Sequence, residues 1–231
     1  MLDFRNFDIL TFDCYGTLID WERGILSALR PLMGQHRVSL SDADLLAHYA
    51  RYESETEAGG YRPYREVLRE VVRRFAAEFS FTPDKAELDC LADSIRHWPP
   101  FDDTVESLQK LKSRFMLAIV SNIDDDLFAG SQELLKVDFD FVITAAQVKA
   151  YKPSHAVFEY AFKTIGIPKE RVLHVAQSLY HDHAPAQALG INSVWINRRS
   201  SVSGSGATPP SEITVDLAYP DLASFAKAVG L

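Results

Sequence analysis

The chain has 231 residues, 47% of them hydrophobic, and a formal net charge of -8 at neutral pH. Those figures allow a sizeable apolar core, in one large domain or in a core with a smaller module beside it, and the negative balance, with no basic stripe, argues against a nucleic-acid partner. No apolar run approaches the roughly 18 residues of a membrane span, Met1-Leu-Asp-Phe-Arg5 lacks a signal h-region, and Cys14 and Cys90 lie in separate segments, so a reducing cytoplasm without a disulfide is expected.

The first apolar strand is Asp8-Ile-Leu-Thr-Phe12, and it runs straight into Asp13-Cys-Tyr-Gly-Thr17. A charge at the end of a buried strand is costly unless paired, and open α/β sheets place their ligands at the carboxyl ends of their strands. Asp13 is therefore the first candidate for a nucleophile. Gly16 permits a tight turn with positive φ, and the Thr17 hydroxyl can hydrogen-bond the carboxylate or cap the next helix. Alone, D-x-x-G-T reads equally well as an ordinary turn.

From Trp21 to Pro100 apolar residues recur at helical spacing: Ile25-Leu26-Leu29-Leu32, Leu45-Leu46-Tyr49-Tyr52 and Val67-Leu68-Val71-Val72-Phe75. Glu106–Lys112 reads as an amphipathic helix, and Phe115–Val120 as a strand ending in the hydroxyl and amide of Ser121-Asn122. A further apolar run, Phe139–Thr144, precedes Tyr151-Lys152-Pro153 and a helix over Val157–Ile165 that stops at Gly166. Arg171–Ala176 is a strand leading into Gln177-Ser-Leu-Tyr-His-Asp182-His183, and Ser193–Ile196 is a later strand. Ser200–Pro210, rich in Ser, Gly and Pro, reads as a mobile surface loop. A carboxylate, a hydroxyl, a lysine and a second carboxylate thus fall at strand ends, in chain order.

That order resembles the haloacid dehalogenase superfamily over nearly the whole chain. Asp13 matches its nucleophilic aspartate, Ser121 its second-motif hydroxyl, Lys152 its third-motif lysine and Asp182 its fourth-motif acid. The resemblance implies an α/β fold, a Rossmann-like, doubly wound parallel sheet formed by residues 1–20 and 101–231. It also implies an inserted helical cap, residues 21–100, of four or five helices closing over the strand ends.

Two departures from the superfamily's phosphatases choose the branch. Phosphatases carry a second aspartate two residues after the nucleophile to protonate the leaving alcohol; here Tyr15 stands there, a phenol with an ordinary pKa near 10. They also open the fourth motif with Gly-Asp, which supplies a carboxylate to Mg²⁺; here the residues are Ala176-Gln177. The chain therefore looks like the metal-independent 2-haloacid dehalogenases, which carry D-x-Y-G-T, and no cofactor is implied. Mg²⁺ enters only if the phosphatase alternative holds.

In that scheme Asp13 attacks C2 of a small 2-substituted carboxylic acid and forms an ester that water then hydrolyses. Lys152 keeps Asp13 ionised and Thr17 orients it. Ser121 and Asn122 receive the substrate carboxylate, with Tyr15 beside them, and Asp182, helped by Ser178 or His181, positions the water. A cap arginine is implied for the departing halide: Arg51 is the first choice, with Arg62 and Arg65 as competitors. Tyr61, Tyr64, Trp98 and Trp21 are candidate pocket walls. His174, His181 and His183 show no metal-ligand spacing, and supporting roles are expected.

Other features depart from the dehalogenases: Phe158 lacks the aromatic hydroxyl expected six residues after the lysine, and Gln177-Ser-Leu179 replaces a Ser-Ser-Asn-like segment. The leaving group is thereby left open. Opening of a strained C–N ring, as in azetidine-2-carboxylate hydrolases, is one alternative, and a Mg²⁺-dependent phosphatase and a non-catalytic binding relative are others. A homodimer accords with the resemblance, though no seam is visible in the chain.

Overall fold

The computed structural model describes residues 2–200 and 206–231. Strand β1 (Ile9–Phe12) is buried throughout, the continuous apolar run of a strand covered on both faces. The other strands are β2 (Met116–Ser121), β3 (Phe141–Thr144), β4 (Val172–Ala176), β5 (Asn192–Ile196) and a two-residue β6 (Ala218–Tyr219) that the sequence pattern does not announce. All pair in parallel, in the order β3-β2-β1-β4-β5-β6. Phe12 is level with Ile119 on one side and with Val175 on the other. The carboxyl ends of β1, β2 and β4 therefore lie side by side at the point where the strand order reverses, the crevice in which doubly wound sheets bind ligands.

Four α helices occupy the interval between β1 and the rest of the sheet: α1 (Trp21–Gln35), α2 (Asp42–Ala58), α3 (Tyr64–Glu78) and α4 (Lys85–Ser94). The apolar stripe of α3, Val67, Leu68, Val71, Val72 and Phe75, is fully buried against its neighbours. Helix α2 starts at Ser41, whose hydroxyl accepts from the Asp44 amide at 3.1 Å, and α4 starts with a reciprocal capping box between Asp84 and Glu87. Gly24 is required where it stands, because a Cβ there would meet the Trp98 indole at 2.3 Å.

The chain enters and leaves this helical layer through two adjacent segments. Ile19 bridges Pro100, the Asp20 amide donates to Pro99 O at 2.8 Å, and the Phe101 amide donates to Leu18 O at 3.1 Å. A second tie joins the layer to the sheet. Buried Asp124, just before α6 (Asp125–Leu135), accepts hydrogen bonds from the amides of Tyr64 (2.9 Å) and Arg65 (3.0 Å) at the start of α3. A carboxylate from the core thus caps a helix of the layer, where the helix dipole favours negative charge.

Helices α5 (Thr104–Lys112), α6, α7 (Ala145–Val148), α8 (His155–Ile165), α9 (Ala184–Ala188) and α10 (Leu222–Ala228) complete the chain. None of the described helices is long and apolar enough to cross a membrane. The Ser/Gly/Pro stretch departs from the expected surface loop. Residues 201–205 lie outside the described residues, but Ala207 and Thr208 are buried, and the Ala207 amide donates to Glu22 at 3.1 Å. A polar composition does not reveal that two small residues of this stretch are buried.

Candidate active site

Asp13 leaves the end of β1 into a turn in which Gly16 has φ +90°, a conformation that favours glycine. One Asp13 oxygen accepts from the Thr17 hydroxyl at 2.7 Å and the other from Lys152 Nζ at 2.9 Å. Thr17 is itself fixed, since its hydroxyl accepts from the Gln177 amide at 2.9 Å, and its carbonyl accepts from Arg198 at 2.9 and 3.1 Å. Arg198 also donates to Asp103 at 2.6 Å, which ties the turn to the start of α5.

Lys152 is 1% exposed and its ammonium spends all its hydrogens inside the protein. They go to Asp13, to Asp182 Oδ1 at 2.7 Å and to Val120 O at 2.9 Å. The Asn122 side chain holds the lysine's backbone, accepting from Lys152 N at 2.7 Å and donating to Lys152 O at 3.0 Å. Asn122 Nδ2 also donates to Glu57 Oε2 at 3.4 Å, so its amide is committed to Lys152 and Glu57 rather than free to meet a substrate carboxylate.

Asp182 lies in the single turn Leu179–His183 after β4. Its Oδ1 also accepts from His174 Nε2 at 2.9 Å, while the other His174 nitrogen meets the Thr11 hydroxyl at 2.9 Å. Oδ2 of Asp182 and the Ser121 hydroxyl, both on residues at most 1% exposed, have no hydrogen-bond partner. Ser178 accepts from the His181 amide at 2.9 Å and shares a hydrogen with the His181 ring at 3.1 Å. His183 bonds Ala176 O and Ser193 and supports the turn.

These groups line a narrow cavity of about 30 Å³. Asp13, Tyr15, Ser121, Asn122 and Lys152 are among the lining residues. Ser178, His181 and Asp182, from the segment after β4, line it too, as does Thr208. Helices α1, α2 and α3 contribute Trp21, Glu53, Glu57 and Tyr64. Tyr15 presents its ring, edge-on to Trp98, and its hydroxyl bonds Ser131 at 2.9 Å.

The expected arginine is absent from this lining. Arg51 points to the outer side of α2, half exposed, bonded to Glu78 at 2.7 Å and stacked on Tyr52. Arg65 pairs with Asp93, and Arg62 is exposed. Helical phase explains the difference: two residues further along the helix, about 200° round, Glu53 occupies the inward position. Glu53 accepts from the hydroxyls of Tyr49, at 3.0 Å, and Tyr64, and one oxygen of Glu57, Oε1, is buried without a partner. Sequence reasoning missed both acids, although the signal existed: carboxylates four residues apart continue the buried face that starts at Leu45 and Tyr49. Trp98 and Tyr61, expected as walls, are not among the lining residues: Trp98 packs edge-on to Tyr15 and Tyr61 packs against Tyr151.

Burial governs the ionisation of the site. It raises Asp13 above the ordinary carboxylate value, and the Lys152 charge opposes that shift without cancelling it. Burial also raises Glu53, to about 7, and Glu57, the latter further through the neighbouring charge of Glu53. For Asp182 burial is outweighed by Lys152 and by the His174 hydrogen bond, so it stays below the carboxylate range. Lys152 loses by burial and gains more from Asp13 and Asp182, so it stays protonated. Burial lowers His181 to about 4, leaving a neutral imidazole, and pushes the Tyr15 phenol well up.

Residues 7–190 match the family model of the haloacid dehalogenase-like hydrolases. The chain belongs to that family. This hydrolase is 28% identical over 219 residues to an (S)-2-haloacid dehalogenase of Pseudomonas putida, covering 88% of this chain and 92% of that one. Its fold matches a defluorinating L-2-haloacid dehalogenase with a TM-score of 0.81 at 20% identity, over 96% of this chain and 95% of that one. It also matches the L-2-haloacid dehalogenase of Xanthobacter autotrophicus, solved with chloropropionic acid covalently bound. There the TM-score is 0.78 at 21% identity, over 96% and 98% of the two chains. Among the described residues, no group of three or more His, Cys, Asp and Glu side chains is arranged to hold a metal ion.

Proposed function

We propose that this hydrolase acts on a small 2-substituted carboxylic acid through an ester on Asp13. The observation that carries the reading is the Asp13–Lys152–Asp182 chain of hydrogen bonds at 2.9 and 2.7 Å, set beside the unpaired Ser121 hydroxyl. Asp13 has an orienting hydroxyl and a neutralising cation, as a carboxylate nucleophile needs. Tyr15, with its phenol pushed up by burial and its hydroxyl turned to Ser131, offers no acid for an alcohol leaving group. That favours a leaving group able to depart without protonation over phosphate ester chemistry.

In the first step one Asp13 oxygen bonds to C2 of the substrate while the bond from C2 to the leaving group breaks. The Ser121 hydroxyl donates to the substrate carboxylate. In the second step a water attacks Cγ of the Asp13 ester, expels the 2-hydroxy acid and restores the carboxylate. Oδ2 of Asp182 is the acceptor that holds this water, because Lys152 and His174 occupy only Oδ1. Enclosure by the helical layer strengthens each of these interactions by excluding solvent.

The names of the curated relatives make (S)-2-chloropropionate the first substrate to try. The test is a single turnover in ¹⁸O-water with EDTA present, using (S)-2-chloropropionate and L-azetidine-2-carboxylate in parallel. Label appearing in the peptide that contains Asp13 is the expected result. Silence on both acids, together with Mg²⁺-dependent phosphate release from an aryl phosphate, would overturn the reading.

A further inference from the structure

The carboxyl groups around the cavity outnumber the cations. Among the described residues four carboxyl groups line it, Asp13, Asp182, Glu53 and Glu57, and Lys152 is the single lysine or arginine in that lining. Its hydrogens are already spent on Asp13, Asp182 and a carbonyl, so it has none left for Glu53 or Glu57. The unpaired atoms are also of two kinds. Ser121 offers a donor, suited to a carboxylate, while Glu57 Oε1 offers an acceptor, suited to N–H or O–H groups, and Asp182 Oδ2 is kept for the water. A ligand that satisfies both sets carries an anionic group at one end and hydrogen-bond donors at the other.

A halide leaves as an anion, and beside Glu53 and Glu57 it would find no lysine or arginine to receive it. A cationic nitrogen meets the opposite situation, because its charge favours the ionised form of two carboxyls that burial otherwise disfavours. We propose that the substrate is a zwitterion whose C2 substituent is a protonated nitrogen, with the carboxylate on Ser121 and the ammonium against Glu53 and Glu57. This assignment rests on the Asp13 ester chemistry proposed above and names the leaving group for it.

The step balances with the groups present. An Asp13 oxygen bonds to C2 as the C2–N bond breaks, and the electron pair goes to nitrogen. The nitrogen already carries its positive charge and leaves as a neutral amine, so no general acid is needed at Tyr15. Strain in a three- or four-membered ring supplies the leaving ability that an open-chain amine lacks. Water then releases a 2-hydroxy acid that keeps the amine at the end of its chain.

Two measurements on the wild-type chain separate this inference from the reading beneath it. The first is calorimetric binding of two inert five-membered rings, L-proline and cyclopentanecarboxylate, which differ in the charged nitrogen. Proline is expected to bind at least about tenfold more tightly, and Glu57→Gln and Glu53→Gln, checked for melting temperature, should each erase that preference. Equal binding of the two rings overturns the proposal. The second is turnover of L-azetidine-2-carboxylate against (S)-2-chloropropionate, where kcat/KM is expected to favour the ring by about a hundredfold or more. Efficient hydrolysis of chloropropionate in preference to the ring overturns the nitrogen assignment and leaves the Asp13 chemistry standing. Selective proline binding with neither acid turned over upholds the cation pocket and overturns the Asp13 reading.

Discussion

Replacing Lys152 by methionine keeps most of the side-chain volume and removes the charge. Its ammonium lies 2.9 Å from one carboxylate and 2.7 Å from another, all of them buried. At an effective dielectric constant near 20, one such pair is worth about 6 kcal/mol. If relaxation and water entry recover half, about 3 kcal/mol of bias toward ionised Asp13 is lost, roughly a hundredfold in kcat/KM at neutral pH. The orphaned carboxylates also destabilise the fold by about 3–5 kcal/mol, which lowers the melting temperature by roughly 6–20 °C. The informative assay is the pH dependence of kcat/KM alongside thermal melting. The acid limb should move upward in the variant and activity should partly return in alkali, because Asp13 then ionises without help. A variant that melts like the parent, keeps more than about a tenth of its activity and shows an unmoved acid limb would break the link between Lys152 and the ionisation of Asp13.

Asp13→Asn should abolish turnover while circular dichroism and melting stay close to wild type; substantial residual activity would remove Asp13 from the nucleophile role. Glu53 has a folded value of about 7 against an ordinary 4.5, so the folded state binds the extra proton and stability falls as pH rises between those values. Glu53→Gln should therefore be more stable than wild type by roughly 3 kcal/mol at pH 8 and show no such gain below pH 4.5 in denaturant titrations; a pH-independent difference would contradict the burial argument. Arg198→Ala, which frees the Thr17 carbonyl and leaves Asp103 without its partner, should lower the melting temperature by roughly 5–10 °C and lower kcat more than it raises KM; Arg198→Lys should restore only part of either. Asp124→Ala should cost about 1–2 kcal/mol by uncapping α3, with amide exchange accelerating first at Tyr64 and Arg65.

Asp13, Lys152 and Asp182 were legible in the chain because each follows an apolar strand, and parallel strands bring their carboxyl ends together whatever the loops do. The same logic located Ser121 and Thr17. Arg51 misled because a helix carries direction as well as position: the buried stripe of Leu45, Tyr49 and Tyr52 sets the phase of α2, and that phase turns Arg51 to Glu78 and Glu53 inward. Glu53 and Glu57 escaped notice since patterning treats glutamate as solvent-facing, and only the tyrosine hydroxyls from α2 and α3 make its burial tolerable. Thr208 lay in a stretch whose composition reads as loop, and packing of small side chains leaves no periodic trace. The pull of Lys152 on Asp13 was legible in direction, but the larger effect of burial was not, because depth is a property of the assembled layers.

The side-by-side passage of the chain at Ile19 and Pro100 has a kinetic consequence. Both covalent connections of the helical layer run through one narrow ribbon, which acts like the spine of a book and leaves the layer a single axis about which to swing. The Asp124 contact with the start of α3 is then the clasp on the cover. A chamber of about 30 Å³ is narrow while the clasp is shut. On the function proposed above, entry of an acid and exit of its product would both draw on that swing, and solvent viscosity can then set the ceiling on turnover.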